Sequence, residues 1–220
     1  MSVQTAQHPE IQLVDHLNKS TVELVEEENS GDYNVYCTAF WISETHLLTA
    51  RHCVTDDEGA TKLNSVVSFT TYKEFNNTIP TPTPKKLYSA IVVAASEENE
   101  ADIAILKTLD DVDHNILKIS KNVTLGSSIH IIGHPMGISY SYMTGIVSQI
   151  RYFKMRNKRL LTIHATALIW MGNSGGPAVN ENGELIGIAS FIVRTVPGMA
   201  FFIHRDEIVK LLKQYNVKYY

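Results

Sequence analysis

Short apolar runs separated by turn residues recur along this chain from about residue 20 to residue 204, and they limit its fold more than any other feature. Each run spans about four to eight residues and is rich in valine, isoleucine, threonine and tyrosine, as in residues 103–107, 128–132 and 185–191. Runs of this length and composition predict β-strands. About a dozen strands, with almost no helical pattern between them, favour an all-β sandwich or barrel.

Three segments depart from the strand pattern. Residues 206–215 carry apolar side chains at helical spacing, with acids at the start and lysine near the end, and this predicts a C-terminal helix. A shorter helix is predicted over residues 9–18. The side chains expected to face inward on it are Ile11, Leu13, Val14 and Leu17. Residues 78–84 contain three prolines, which remove backbone donors, so we expect an exposed loop there.

Composition excludes several classes of protein. The chain has 220 residues, of which 44% are hydrophobic, so it can bury a sizeable core. Its net charge of −4 gives no basic surplus for nucleic acid, and the basic cluster at residues 151–159 is interpreted as a solvated hairpin tip. No apolar run approaches the ~18–20 residues needed to cross a membrane. The polar first ten residues do not resemble a secretory signal, so we expect an intracellular or virus-associated protein.

Three short strings supply a histidine, an aspartate and a serine in that order. His52 lies in residues 49–53 (TARHC), Asp102 in residues 101–106 (ADIAIL) and Ser174 in residues 172–177 (GNSGGP). A serine nucleophile, a histidine base and an aspartate that orients the base form a hydrolytic relay. We therefore predict that these three side chains are catalytic.

Most of the residues next to Ser174 are glycines. Gly172, Gly175 and Gly176 allow the backbone to turn sharply and leave the hydroxyl accessible. A serine hydroxyl is a weak nucleophile until a base removes its proton. Backbone N–H groups in such a turn can also stabilise a developing oxyanion. We assign this oxyanion hole to the amides of Gly172 and Ser174.

The other two candidates lie at the ends of apolar runs. His52 follows such a run, and Asp102 precedes one that should be buried, where an aspartate needs a polar partner. The partner expected for Asp102 is the Nδ1–H group of His52. The remaining histidines, among them His134, have no comparable neighbours, and no cysteine or acid pattern completes a zinc site. We predict neither a metal nor a cofactor.

Together with residues 132–137 (IGHPMG), 144–148 (TGIVS) and 187–190 (GIAS), these strings give the chain a family likeness. Over about residues 20–214 it resembles the trypsin-like (chymotrypsin-fold) serine proteases, and among them the HtrA/DegP-type protease domain. The resemblance implies two six-stranded antiparallel β-barrels followed by a C-terminal α-helix. It also implies an active site in the cleft between the barrels.

The apolar pattern is interrupted at residues 109–115, where three aspartates and an asparagine occur. With the resemblance, this boundary predicts four parts. They are an N-terminal extension (1–19), a first barrel with His52 and Asp102 (20–112), a second barrel with Ser174 (113–204), and a C-terminal helix and tail (205–220). HtrA proteins usually carry a PDZ domain after the protease. This sequence stops at Tyr220, so no PDZ domain is expected within it.

Substrate preference is implied only through the resemblance. It places Leu168 at the floor of the primary specificity pocket and Ala189 on its wall. The edge that pairs with substrate is assigned to Ser190, Phe191 and Ile192. A leucine floor would leave a bound lysine or arginine side chain buried without a counter-charge. We therefore expect a small or medium apolar residue on the acyl side of the cleaved bond (P1).

Two further positions acquire meaning from the same family. Cys37 and Cys53 fall where animal digestive relatives place a disulfide beside the catalytic histidine. In a reducing compartment the two thiols would stay open. Asn173 stands where those relatives carry an aspartate that pairs with a newly cut N-terminus. Asparagine cannot form that ion pair, so activation by N-terminal cleavage is not expected.

The sequence thus predicts a serine endopeptidase that hydrolyses polypeptides through an acyl-enzyme. The alternative is a catalytically inert module of the same fold with a binding or structural role, because fold alone does not give function. Neither nucleic acid nor a membrane is expected as a partner. The oligomeric state does not follow from the residues.

Overall fold

The structure is a computed structural model that describes residues 9–29, 32–72, 86–97, 100–155, 158–192 and 199–220. At residues 155, 158, 191 and 192 it describes the backbone alone. The proline-rich stretch at 78–84, predicted to be an exposed loop, lies outside these ranges. Within them, no helix is both long enough and apolar enough to cross a membrane.

The first half of the chain forms a closed β-barrel. Its strands are β1 (Thr21–Glu27), β2 (Tyr33–Trp41), β3 (His46–Thr49), β4 (Val66–Thr71), β5 (Tyr88–Ala95) and β6 (Ala104–Thr108). Every neighbouring pair is antiparallel, and the pairing of β1 with β4 closes the barrel. Burial alternates along β5, because successive side chains of a strand point to opposite faces.

A second closed barrel follows. Its strands are β7 (Ser128–Gly133), β8 (Ser141–Met155), β9 (Lys158–Ala165), β10 (Pro177–Val179), β11 (Leu185–Ile192) and β12 (Ala200–His204). The pairing of β10 with β7 closes it. Numbered within each barrel, the strands follow the same order, 1-2-3-6-5-4. The prediction of two six-stranded antiparallel barrels is confirmed. Arg151, Lys154 and Arg159 are exposed near the tip of the β8–β9 hairpin.

Two helices flank the barrels. Helix α2 (Arg205–Gln214) matches the predicted C-terminal helix, and its first turn is capped by the His204 side chain, which accepts a hydrogen bond from the Asp206 amide. It packs against β9, β11 and β12. Helix α1 (Pro9–Ser20) is longer than predicted, and Leu17 is buried on it as expected. Ile11 was expected to face inward, but its side chain is 55% exposed because only the C-terminal part of α1 buries residues.

Three apolar clusters fill the molecule. One lies inside the first barrel around Trp41 and Phe69, and one inside the second around Ile163 and Phe202. The third contains buried side chains of both barrels and of α2. Its members include Phe40, Leu48, Ile132, Ile188, Ile208 and Leu212. The surface where the barrels meet is therefore a hydrophobic core in its own right, which fixes the two barrels against each other.

Candidate active site

His52 and Asp102 are joined directly. His52 lies in a short 3₁₀ turn, Arg51–Val54, directly after β3, and Asp102 precedes β6. The Nδ1 atom of His52 is 2.7 Å from Asp102 Oδ2, and the backbone N–H of His52 donates to Asp102 Oδ1 at 2.9 Å. Strands β3 and β6 are neighbours in the barrel, so their pairing brings the two residues together across 50 positions of sequence. The predicted contact is present.

The electrostatics of the pair set the state of the imidazole. Burial lowers the pKa of His52, but the hydrogen bond and charge of Asp102 outweigh it, so the pKa lies above its usual 6.5. For Asp102, burial raises the pKa, and the bonds from His52 and Ser190 lower it by more, so the carboxyl is ionised at neutral pH. An ionised carboxylate only accepts hydrogen bonds. His52 Nδ1 therefore carries a hydrogen, and Nε2 of the neutral ring is free to accept a proton.

Ser190 was predicted to form the edge that pairs with substrate, and the structure gives its side chain another contact. Its hydroxyl donates to Asp102 Oδ2 at 2.7 Å. Asp102 thus receives hydrogen bonds from both barrels, since Ser190 lies on β11. Sequence reasoning missed this bond because 88 residues separate the two side chains and no local motif marks it.

Ser174 sits in a turn before β10 that is built from backbone contacts. Gly172 and Gly175 have φ angles of +97° and +82°, which favour glycine. A side chain at Gly175 would also meet the Thr38 carbonyl oxygen at 2.3 Å. The Thr38 amide on β2 donates to the Ser174 carbonyl at 2.9 Å. The Ser174 turn therefore packs against the first barrel, where His52 lies.

The carbonyl groups of the Ser174 turn have protein donors. Met136 N–H donates to the Met171 carbonyl at 2.8 Å, and Gly176 N–H donates to the Asn173 carbonyl at 2.9 Å. In a trans peptide the C=O and the following N–H point in opposite directions. The amides of Gly172 and Ser174 therefore face away from those donors. In the described part of the chain neither amide donates a hydrogen bond, and both residues line the same cleft as His52.

The cleft has a volume of about 930 Å³ and lies between the barrels. Ala189 and Ser190, which were assigned to substrate binding, line this cleft, and their role stays a prediction. Leu168, predicted at the pocket floor, is 69% exposed and lies outside the cleft lining, whereas its neighbour Ile169 is buried and lines the cleft. The cleft lining on this segment therefore begins one residue later, and Trp170, Met171 and Gly172 continue it.

The other two predicted edge residues are described through their backbone. In β11, Phe191 pairs with Phe201 and Ile192 pairs with Ala200 of β12. The side chains of Phe191 and Ile192 lie outside the described part of the structure. Their assignment to substrate binding stays a prediction.

A disulfide joins Cys37 on β2 to Cys53 in the His52 turn, with the two Cα atoms 6.1 Å apart. Cys53 Sγ lies 3.7 Å from the carbonyl oxygen of Ser174, so the disulfide packs beside the Ser174 turn. Among the described residues, Cys37, Cys53 and His52 are the one group of three potential metal ligands within reach of one another. Both sulfurs are used in the disulfide, and metals bind free thiolates.

Asn173 is buried beneath the Ser174 turn. Its amide nitrogen lies 3.7 Å from Met143 Sδ, and no described residue donates a hydrogen bond to its Oδ1. A side chain at Gly133 would meet that oxygen at 2.2 Å, so the glycine makes room for Asn173. The contacts that hold the turn on this side therefore include no ion pair.

Thr38 is a site residue that sequence reasoning did not identify. Its hydroxyl donates to the Gly172 carbonyl at 2.7 Å, and its amide holds the Ser174 carbonyl. Thr38 and Gly172 are separated by 134 positions and lie in different barrels. A threonine in a β-strand pattern carries no signal for such a role, because threonine is common in strands for packing reasons.

The chain is similar in sequence to proteins named as serine proteases. The chain is 33% identical to serine protease HTRA1 of Xenopus tropicalis over 133 residues, which are 58% of this chain and 28% of that protein. It is 35% identical over 96 residues to a probable periplasmic serine endoprotease, DegP-like, of Halomonas elongata, covering 43% of this chain and 20% of that one. The chain thus spans about a quarter of the length of these relatives.

Solved structures share the fold. The serine endoprotease from Yersinia pestis superposes with a TM-score of 0.69 at 21% identity, over 96% of this chain and 67% of that one. An inactive form of Rv3671c from M. tuberculosis gives a TM-score of 0.71 at 17% identity, over 97% and 96%. The family model described as trypsin-like peptidase domain matches residues 37–188, which include His52, Asp102 and Ser174. The chain therefore belongs to the family of trypsin-like peptidase domains, with HtrA- and DegP-type serine proteases among its relatives.

Proposed function

We propose that this protein is a serine endopeptidase in which Ser174 is the nucleophile, His52 the general base and Asp102 the group that orients the base. The observation that carries the proposal is one cleft lined by both His52 and Ser174, with His52 hydrogen-bonded to Asp102. The membership of the family and the names of its relatives support the same reaction class.

The proposed reaction proceeds through an acyl-enzyme. His52 Nε2 takes the proton of the Ser174 hydroxyl as its oxygen attacks the scissile carbonyl carbon. The resulting tetrahedral intermediate collapses when His52 returns the proton to the leaving amine, and the acyl group stays on Ser174. Water, deprotonated by His52, then attacks the ester and releases the acid product. Asp102 stays ionised throughout and stabilises the imidazolium.

The amides of Gly172 and Ser174 would stabilise the negative oxygen of both tetrahedral intermediates. Two features support this role: each amide lacks an acceptor within the described chain, and the carbonyl of its own peptide group is held by a protein donor. The N–H groups of Gly172 and Ser174 are thus already oriented before the substrate binds. Removing one such donor typically costs about 2.7–4 kcal/mol of transition-state stabilisation.

A small or medium apolar P1 residue fits the lining of the cleft beside Ser174. Residues 169–172 and 189–190 contribute isoleucine, tryptophan, methionine, glycine, alanine and serine, and none of these is charged. Among the described residues, the charged side chains of the cleft are on other parts of its lining (Glu26, Glu27, Asp57 and Lys62), so a lysine, arginine or glutamate side chain placed against this wall would meet no counter-charge from it. A peptide-library profile tests the preference, and strong cleavage after arginine or glutamate would refute it.

The decisive test of the reaction class is covalent labelling with a fluorophosphonate, which reacts with activated serine hydroxyls. We expect wild-type protein to be labelled, and Ser174→Ala and His52→Ala to remain unlabelled. Ser148→Ala is a matched control, because Ser148 is exposed and its hydroxyl bonds only to the nearby Ile146 carbonyl. A folded wild-type protein that takes no label would instead identify an inert module of the same fold.

A further inference from the structure

A carboxyl group and an imidazole are buried together where the barrels meet, outside the catalytic cleft. Glu23 on β1 and His134 at the end of β7 both have fully buried side chains. Glu23 Oε1 lies 3.2 Å from His134 Nδ1. Ionisable groups are seldom buried unless they are paired, because desolvation is costly. The proposed reaction uses neither of these side chains.

Two further parts of the fold contact this pair. The Thr70 hydroxyl on β4 donates to Glu23 Oε2 at 3.1 Å, and the Tyr140 amide donates to His134 Nδ1 at 3.0 Å. Within the described residues His134 Nε2 has no hydrogen-bond partner. The Tyr140 amide occupies the lone pair of Nδ1, and within the described residues Glu23 Oε1 accepts no hydrogen bond. Glu23 thus lies in close polar contact with Nδ1 without being hydrogen-bonded to it, and this contact is the one that comes from the first barrel.

From His134 the chain leads directly to the peptide that presents the Gly172 amide. The 3₁₀ turn Pro135–Gly137 follows, and Met136 in it, with φ of +53°, donates its N–H to the Met171 carbonyl. Gly172 also packs on the His134 backbone, since a Cβ on Gly172 would lie 2.1 Å from the His134 carbonyl oxygen. A shift of His134 would thus be transmitted to the peptide between Met171 and Gly172 through two contacts.

We propose that Glu23 is a positioning residue for the oxyanion hole: it holds His134, and with it the 135–137 turn, against the peptide that carries the Gly172 amide. The inference rests on the proposed function, since it assigns a role to that amide in turnover. Glu23 itself does not touch the substrate or the reacting atoms. Its effect is on the orientation of a donor that matters most in the transition state.

The test compares substitutions of Glu23 that differ in length and polarity. Glu23→Leu removes the polar contact, and Glu23→Asp withdraws the carboxylate by one methylene with a smaller change in packing. We expect kcat on a peptide ester to fall about tenfold in Glu23→Leu and about threefold in Glu23→Asp, with KM nearly unchanged, as for an interaction realised in the transition state. Glu23→Gln keeps the length and a polar end, and should stay within about twofold of wild type.

A second measurement separates positioning from general weakening of the fold. A peptide boronate forms a tetrahedral adduct on Ser174 that places an oxygen in the hole, so its inhibition constant should rise by the same factor as kcat falls. Glu184→Leu is the control, because Glu184 Oε2 also accepts two hydrogen bonds, from Ser120 and Asn180, away from the cleft. It should lower the melting temperature and leave kcat and boronate binding unchanged.

The outcomes distinguish this inference from the proposed function. An absence of turnover in folded wild-type protein would refute both. Turnover in wild type, with equal kcat and boronate affinity in folded Glu23→Leu or Glu23→Asp, would overturn the role of Glu23 alone. If Glu23→Leu fails to fold, the Glu23→Asp and Glu23→Gln pair decides, since a purely structural role predicts no difference in kcat between them.

Discussion

The two barrels share one strand order but contribute to the site in different ways. The first barrel supplies side-chain chemistry: His52 and Asp102 lie at the ends of neighbouring strands and bind each other directly. The second supplies mainly backbone chemistry, a glycine-rich turn whose carbonyls are tied down and whose amides at Gly172 and Ser174 are left free. The contribution of the first barrel depends on the identity of two side chains. The contribution of the second barrel depends mainly on the backbone conformation of the Ser174 turn.

This difference explains why the halves are joined by so many contacts. Thr38 bonds to the turn through its amide and its hydroxyl, and Ser190 reaches from the second barrel to Asp102. The turn has two positive φ angles, and hydrogen bonds from the neighbouring barrel add to its own in holding it. A substitution that disrupts the site residues of either barrel should therefore also impair the contribution of the other barrel to the site.

The largest expected effect tests whether the halves act as one unit. His52→Ala and Ser174→Ala should each lower kcat by about 10⁶-fold, and the double variant should be no worse than either single one, because the groups act in one step. Steady-state hydrolysis of an activated ester, with Ser148→Ala as the control, measures this. Losses that multiply in the double variant would show that the two barrels contribute independently.

A glycine pair tests the backbone half. Gly175 and Gly126 both have φ of +82°, but a side chain at Gly126 meets no atom within 4 Å, whereas one at Gly175 overlaps the Thr38 backbone. Gly126→Ala should cost about 1–2 kcal/mol of unfolding free energy from backbone strain alone. Gly175→Ala should cost clearly more, about 3 kcal/mol or above, and abolish turnover.

Urea denaturation gives both free energies, with Gly126→Ala as the measure of the strain shared by the two sites. Equal losses in the two variants would mean that the contact with Thr38 does not constrain the turn. The distinction between a side-chain half and a backbone half would then lose its basis.

The smallest effect concerns the pKa of His52. Since protonated His52 cannot accept the serine proton, kcat/KM should fall as the pH drops through a pKa above 6.5, the usual value. In Asp102→Asn the hydrogen bond and charge that raise the pKa of His52 are removed and burial remains, so this pKa should fall below 6.5. An NMR titration of the His52 ring in both proteins checks the sign, and an unchanged midpoint would contradict it.

The sequence predicted the candidate catalytic side chains of the site better than the contacts that hold them. His52, Asp102 and Ser174 are flagged by strings of five or six residues, and strand patterns alone predicted an all-β barrel or sandwich. The contact of Ser190 with Asp102 spans 88 positions, and that of Thr38 with Gly172 spans 134. Such contacts depend on barrel closure and strand register, which apolar periodicity does not specify.

His134 shows a different limit. No neighbour in sequence indicates a role for it, yet its side chain is fully buried and contacts Glu23 of the other barrel. Leu168 shows the reverse case, since the family likeness gave it a role in the pocket, whereas in the structure Leu168 is exposed and its neighbour Ile169 lines the cleft. Burial and side-chain direction are properties of the closed barrels, so neither could be obtained from residue types alone.

The apolar cluster shared by both barrels and α2 bears on how the protein could be divided. The connection between the barrels, residues 109–127, is hydrogen-bonded to each of them. The Leu117 amide donates to the Trp41 carbonyl of the first barrel, and Ile119 forms an isolated β-bridge with Leu185 of the second. A half produced alone would expose Ile132, Phe40 or their neighbours to water. Two fragments produced by dividing the chain within this connection should thus be poorly soluble when separate and should reassemble when mixed. Recovery of hydrolysis would then measure their association.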